Sequence, residues 1–169
     1  MESFLGAVGV WPAHLGLLVL AFPLAAIDQA EHRLPDALVL PAWLGSAAWF
    51  GAVGVGTGQS EALSRAFGVA AAMVLGMWLI SELPGEPLGF GDVKLSGLLA
   101  LHGGWYSEQV GVFSVALGIV VGGAHAVWWV TRGHHRASEA IALGPHLLLG
   151  WWGALTLHAM VTPSVLPTI

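Results

Sequence analysis

Long apolar stretches alternate along this chain with short polar or Gly- and Pro-rich breaks, and they approach the length of about 20 residues that a helix needs to cross hydrocarbon. Six such segments can be drawn. The first, residues 4–27, is apolar apart from His14, and Pro12 either kinks it or begins its helix. It runs into a charged break at 28–36 that holds Asp28, Glu31, His32, Arg33 and Asp36, with Pro35 placed where a new helix can start. This break reads as an exposed loop with frayed helix ends. Segments at about 38–55 and 63–83 follow, parted by Gly, Thr, Gln and Ser residues around 56–64. Residues 82–90 bring Pro84, Pro87, Gly85 and Gly89, a composition that cannot stay helical in lipid. The fourth segment, 93 to about 105, is short, so it must tilt little or be sheltered by its neighbours. The fifth, about 110–130, carries Gly118 and Gly122 at the spacing that lets helix backbones approach closely. A third polar break at 131–138, with Arg132, His134, His135 and Arg136, precedes a sixth segment at about 140–160, and Pro163 and Pro167 mark a loose tail.

The pattern predicts an all-α fold: a polytopic integral membrane protein with about six transmembrane helices, residues 1–169 forming one membrane-embedded domain. Composition reinforces it, because hydrophobic residues make up 56% of the chain and charged residues 9%, against about 25% charged in a soluble domain. Met1-Glu2-Ser3 lacks the basic flank of a cleaved signal peptide and the apolar stretch behind it is too long for one, so the first segment is expected to be retained. No run of Lys or Arg points to nucleic acid. The absence of cysteine excludes disulfides and thiolate metal sites.

Charge suggests an orientation. If Asp28 faces the cytoplasm, six alternating spans put Arg33, Lys94, Arg132 and Arg136 inside and Arg65 outside, which follows the positive-inside rule. Both termini then lie outside. Asp28 and Asp92 fall on the same, cytoplasmic side.

Most of the candidate chemistry sits in Gly89-Phe90-Gly91-Asp92-Val93-Lys94-Leu95 and at Asp28. An aspartate at the end of a span is ordinarily a solvated residue. Here Asp92 has glycines at 89 and 91, which permit unusual backbone and close approach. Two carboxyl groups within hydrogen-bond reach cannot both ionise cheaply, so one keeps a proton while the other activates water. That is aspartic protease chemistry, and it needs neither a metal nor another cofactor. Asp92 opens a helix and Asp28 closes one, so the helix macrodipole favours Asp92 as the ionised member. A different class of function uses the same residues, with Asp28 and Asp92 lining the path of a small transporter or proton channel, which calls for polar groups near mid-membrane or an internal repeat.

The remaining polar residues have ordinary readings beside functional ones. Lys94 either snorkels to lipid headgroups or holds the ionised pair in place. Glu31, Asp36, Glu82 and Glu86 form either a solvated acidic rim or a surface that attracts a basic substrate segment. His134 and His135 read as part of a solvated basic loop, because neighbouring residues on a helix do not chelate together easily. His14, His125 and His158 are expected to face inward and be hydrogen-bonded. Trp105, Trp128, Trp129, Trp151 and Trp152 fall near span ends, where an interfacial belt is expected.

Three stretches together resemble the type IV prepilin peptidases, membrane aspartic proteases of the GxGD type. IDQAEHRLPDALVLP, residues 27–41, has that family's Asp followed by Pro-Asp and a hydrophobic run. GFGDVKL, residues 89–95, has its GxGD motif followed by Lys-Leu, and ALGPHLLLG, residues 142–150, is similar to the Gly-Pro segment that opens the last span. His146 stands where the family more often has an aromatic residue. The resemblance implies catalytic roles for Asp28 and Asp92, with Gly89, Gly91 and Lys94 in support. It implies an inner-membrane enzyme that cleaves the leader of prepilin-like substrates, each with a hydrophobic N-terminal helix, at the cytoplasmic face. The paired-cysteine region that methylates the new N-terminus in bifunctional members is not seen before the first span, so a peptidase-only form is expected.

Overall fold

A computed structural model describes residues 9–84, 88–132 and 142–162. The expected start of the first segment at residue 4, Gly85, Glu86, the His134-His135-Arg136 cluster and the Pro163 and Pro167 tail lie outside the described residues. Among the described residues six α-helices follow one another: α1 (Trp11–Glu31), α2 (Asp36–Gly56), α3 (Ser60–Ser81), α4 (Phe90–Gly104), α5 (Glu108–Thr131) and α6 (Gly144–Val161). Among the described residues, α1, α2, α3 and α5 are long and apolar enough to cross a membrane. Their outward faces carry exposed Val19, Phe22, Leu44, Val55 and Val120, which suits hydrocarbon as solvent and not water.

Helix boundaries follow local chemistry. Pro12 lies in the first turn of α1, where its missing N–H costs nothing, so it begins that helix. The same helix continues past Asp28 to Glu31 and is closed by His32, which takes a left-handed conformation at φ 51° and donates its N–H to the Asp28 carbonyl at 2.8 Å. Pro35 is extended and α2 starts at the next residue. The 28–36 break is therefore a four-residue link at 32–35 between two well-formed helix ends. Asp28 is not in an exposed loop, as the charge pattern suggested, but on the inner face of a helix with 4% exposure.

The short fourth segment is sheltered. At 15 residues α4 is about 22 Å long at 1.5 Å per residue, below the roughly 30 Å of hydrocarbon. Every residue from Leu95 to Gly104 is buried, with α2, α3, α5 and α6 packed around it. Its last carbonyls would be orphaned in that setting. Arg65 of α3 donates to the carbonyl oxygens of Gly104, Trp105 and Tyr106, closing the helix end and placing the guanidinium at the negative pole of the dipole. Gly118 and Gly122 do what their spacing predicts: a Cβ on Gly118 would lie 2.6 Å from Cα of Leu147, and one on Gly122 would lie 2.9 Å from Leu143. Helices α5 and α6 can be this close only because both positions lack side chains.

Two tryptophans expected at the interface are in the core. Trp105 packs on Phe50 with ring centroids 5.2 Å apart, and Trp151 packs on His102 at 5.8 Å, at 3% and 0% exposure. Trp105 ends a helix that has no lipid-facing side, so its position along the chain says nothing about a belt. Trp128 and Trp152 do face outward. His14 is buried and hydrogen-bonded as expected, within a string of polar groups. Tyr106 Oη lies 3.0 Å from His14 Nε2, His14 Nδ1 lies 2.6 Å from His102 Nδ1, and His102 Nε2 lies 2.9 Å from Ser46 Oγ. Burial pushes the Tyr106 phenol up to about 12, so it stays protonated and donates to His14. His14 then donates to His102 and His102 to Ser46, which satisfies each ring nitrogen without a net charge.

The helices alternate in direction. The C-terminal ends of α1, α3 and α5 share one end of the bundle with the N-terminal ends of α2, α4 and α6. Asp28 and Asp92 are both there, whereas the His14–His102 string is at the other. Along α4 the two ends are separated by buried Leu95, Leu98 and Leu99.

Candidate active site

Asp28 comes to this site on the last full turn of α1, where the backbone bond from His32 keeps the helix from fraying. Its carboxyl points inward, and Oδ2 accepts a hydrogen bond from the backbone N–H of Gly144 at 2.8 Å. Gly144 is the first residue of α6, so this donor is one of the N–H groups that a helix start leaves without an internal partner. A side chain there is excluded, because a Cβ would lie 2.7 Å from that same carboxylate oxygen.

Asp92 is the third residue of α4, behind an extended Gly89 that caps the helix. Its carboxyl lies close beside Gly89, within electrostatic reach of that residue's backbone N–H. Asp92 also lies within electrostatic reach of Asp28, while its Oδ1 is buried without a hydrogen-bond partner among the described residues. The two glycines of the motif act by closeness. Neither has a positive φ. A Cβ on Gly91 would sit 2.8 Å from Cβ of Leu34, so the bare backbone lets the start of α4 press against the link that follows Asp28. One on Gly89 would meet only Asp92 Oδ2, at 3.3 Å.

Lys94 has a partner that neither sequence reading named. Its ammonium lies 2.6 Å from Asp36 Oδ1 and 4.7 Å from the centre of the Phe90 ring, tying the fifth residue of α4 to the first residue of α2. Asp36 in turn sits where the α2 dipole favours an anion. The exposed Glu31 pairs with Arg33.

The expectation that Asp92 alone enjoys a helix N-terminus changes here. Asp28 closes α1, yet its side chain is at the opening of α6, a relationship that links residues 116 positions apart. Asp28 thus takes an N–H from a helix start, while Asp92 lies at the start of its own helix. The Gly144 contact escaped the sequence reading of Asp28, although the Gly-Pro at the head of the last apolar segment was visible. His125 and His146 are hydrogen-bonded at 2.8 Å beside this contact; His125 was legible as an ionisable group in apolar surroundings and His146 only as a departure from the family's aromatic residue. Among the described residues no group of three or more His, Cys, Asp or Glu side chains is arranged to hold a metal ion.

Residues 15–127 match the model of the type IV leader peptidase family, a range that includes Asp28, Gly89, Gly91, Asp92 and Lys94. The chain is similar to a prepilin leader peptidase/N-methyltransferase of Stutzerimonas stutzeri, 32% identical over 153 residues, with 89% of this chain and 50% of that protein covered. A protein of the same name from Pseudomonas aeruginosa is 32% identical over 156 residues, with 89% and 52% covered. One from Burkholderia pseudomallei is 33% identical over 162 residues, with 92% and 48% covered. The chain spans about half the length of these curated relatives. No solved structure matches it.

Proposed function

This chain belongs to the type IV leader peptidase family, and from that premise we propose that it is a membrane aspartic endopeptidase, with Asp28 and Asp92 as its catalytic pair, that removes the leader of prepilin-like precursors. The observation that carries the reading is the convergence of the Asp28 and Asp92 carboxyl groups, from α1 and α4, at one end of the bundle and within electrostatic reach of each other. An alternative path-lining role for these aspartates has less support, because the other buried polar string lies at the far end beyond Leu95, Leu98 and Leu99.

The chemistry proceeds without a covalent intermediate. Asp28, whose Oδ2 takes the N–H of Gly144, is the ionised member and removes a proton from water. The water oxygen bonds to the carbonyl carbon of the scissile peptide. Asp92 donates its proton from Oδ1, the oxygen without a hydrogen-bond partner among the described residues, to the carbonyl oxygen. In the second step the proton now on Asp28 goes to the amide nitrogen, the C–N bond breaks, and Asp92 recovers its proton as the carboxylic acid forms. The low-dielectric surroundings make each of these charges count for more than it would in water.

An extended peptide would approach past Gly89, on the side of the α4 start. A cleft of about 540 Å³ lined by Ser81, Glu82, Leu83, Leu88, Gly89 and Phe90 opens next to the backbone that Asp92 caps. Arg33, Lys94 and Arg132 are at the same end of the bundle and Arg65 at the other, which supports a site facing the cytoplasm from the inner membrane. The substrate's hydrophobic helix would then stay in lipid while its leader is cut at the surface. The test is a size-shift assay with a prepilin-like precursor in vesicles, comparing wild type with Asp28→Ala and Asp92→Ala. Cleavage by wild type and by neither variant is expected; equal processing by all three would end the reading.

A further inference from the structure

Helix α6 presents its first N–H to Asp28 only if the backbone at residues 142–144 is held in place, and Pro145 removes a main-chain donor from that turn. A side chain supplies the missing tie. His146 Nδ1 lies 3.0 Å from the carbonyl oxygen of Ala142, and since a carbonyl can only accept, Nδ1 carries the hydrogen. The neutral ring then has an acceptor at Nε2, which lies 2.8 Å from Nδ1 of His125 on α5. His125 is three residues beyond Gly122 and seven beyond Gly118, on the same face of α5, so the glycines that bring the two helices together also bring the two rings together. The His125 ring is backed by Trp129 at a centroid distance of 5.3 Å and Trp128 at 6.2 Å, which fixes it from behind.

We infer that His146, itself held by His125, is a positioning residue: its Nδ1–H clamps the Ala142 carbonyl and so aims the Gly144 N–H at Asp28. The connection runs without a gap from α5 through two imidazoles and one turn of backbone to the carboxylate proposed as the base. This inference rests on the aspartic peptidase reading for its catalytic consequence. The clamp itself is a structural claim that stands apart from it.

The two nitrogens of His146 can be separated by substitution. Asparagine places an amide N–H near the position of Nδ1, whereas glutamine places one near Nε2 and leaves the Ala142 carbonyl without its donor. With the chain in vesicles and a prepilin-like precursor as substrate, His146→Gln is expected to lose kcat by on the order of 10- to 100-fold with KM little changed. His146→Asn is expected to recover most of that loss, and His125→Ala to fall between the two. Amide hydrogen exchange across residues 142–147 is followed in the same samples and should accelerate in His146→Gln but not in His146→Asn. Equal kcat in both His146 variants, or equal exchange, overturns the clamp. If wild type cleaves nothing while exchange still separates the variants, the peptidase reading fails and the clamp stands.

Discussion

The backbone N–H of Gly144 donates to Oδ2 of Asp28 at 2.8 Å, so a carboxylate on the closing turn of one helix is met by the opening turn of another. The contact offsets part of the cost of burying that carboxyl, since a hydrogen bond to a charged group contributes about 1.5–3 kcal/mol. It also makes residue 144 sterically critical.

Gly144→Ala places a methyl group 2.7 Å from the accepting oxygen, so either the carboxylate turns away or α6 shifts. Cleavage is expected to fall by about 100-fold, and thermal unfolding in detergent should show a loss of roughly 1–3 kcal/mol. Unchanged activity in this variant would mean that the Gly144 contact has no part in aligning Asp28.

The two motif glycines should separate in the same assays. Gly91→Ala meets Leu34 Cβ at 2.8 Å and forces the α4 start away from the 32–35 link, with an expected cost of about 1–3 kcal/mol and a large fall in cleavage. Gly89→Ala meets only a carboxylate oxygen at 3.3 Å and is expected to be the milder change in stability. The opposite order would show that backbone freedom at residue 89, not closeness at 91, is what the motif provides.

Lys94 and Asp36 form a partly exposed pair, so a double-mutant cycle with Lys94→Met and Asp36→Asn should return a coupling of about 0.2–1 kcal/mol in stability, weakening as salt is raised. No coupling would remove the pair as the tie between α2 and α4.

Tyr106 sets an alkaline limit. Its folded-state value of about 12 exceeds the ordinary 10.0, so between those two pH values the folded chain holds a proton that the unfolded chain has lost. Its contribution is therefore complete below pH 10 and disappears as pH rises toward 12. Unfolding midpoints should decline across that window in wild type and lose this component in Tyr106→Phe. At neutral pH the phenylalanine variant should be less stable by about 1–3 kcal/mol, because His14 Nε2 loses its donor.

Much of the fold was legible because a bilayer leaves few choices. The alternation of apolar runs and breaks marks six helices, and the Gly118 and Gly122 spacing marks a close contact, since both signals depend on local sterics and solvent alone. Whether a residue faces the interior was much less legible. Trp105 has the sequence position of a belt residue but ends the one helix surrounded on all sides. Asp28 has the neighbours of a loop residue, yet its helix runs on to Glu31, and its side chain finds a donor in α6. Lys94 meets Asp36, a partner that only the packing of α4 on α2 provides. His102, an ionisable group inside an apolar run, carries the same signal as His14, whereas Ser46 carries none. Hydropathy reports which solvent a segment sees; it does not report which distant segment supplies the missing hydrogen bond.

The central claim is that Asp28 and Asp92 act as one unit, and single-turnover cleavage of a prepilin-like precursor in vesicles measures it directly with Asp28→Asn, Asp92→Asn and the double variant. Each single change is expected to lower the rate by roughly 1,000-fold or more, and the double variant should sit at the same floor, because removing either member leaves no pair to disable further. A single variant within about tenfold of wild type, or a double variant whose loss is the product of the two single losses, would contradict it.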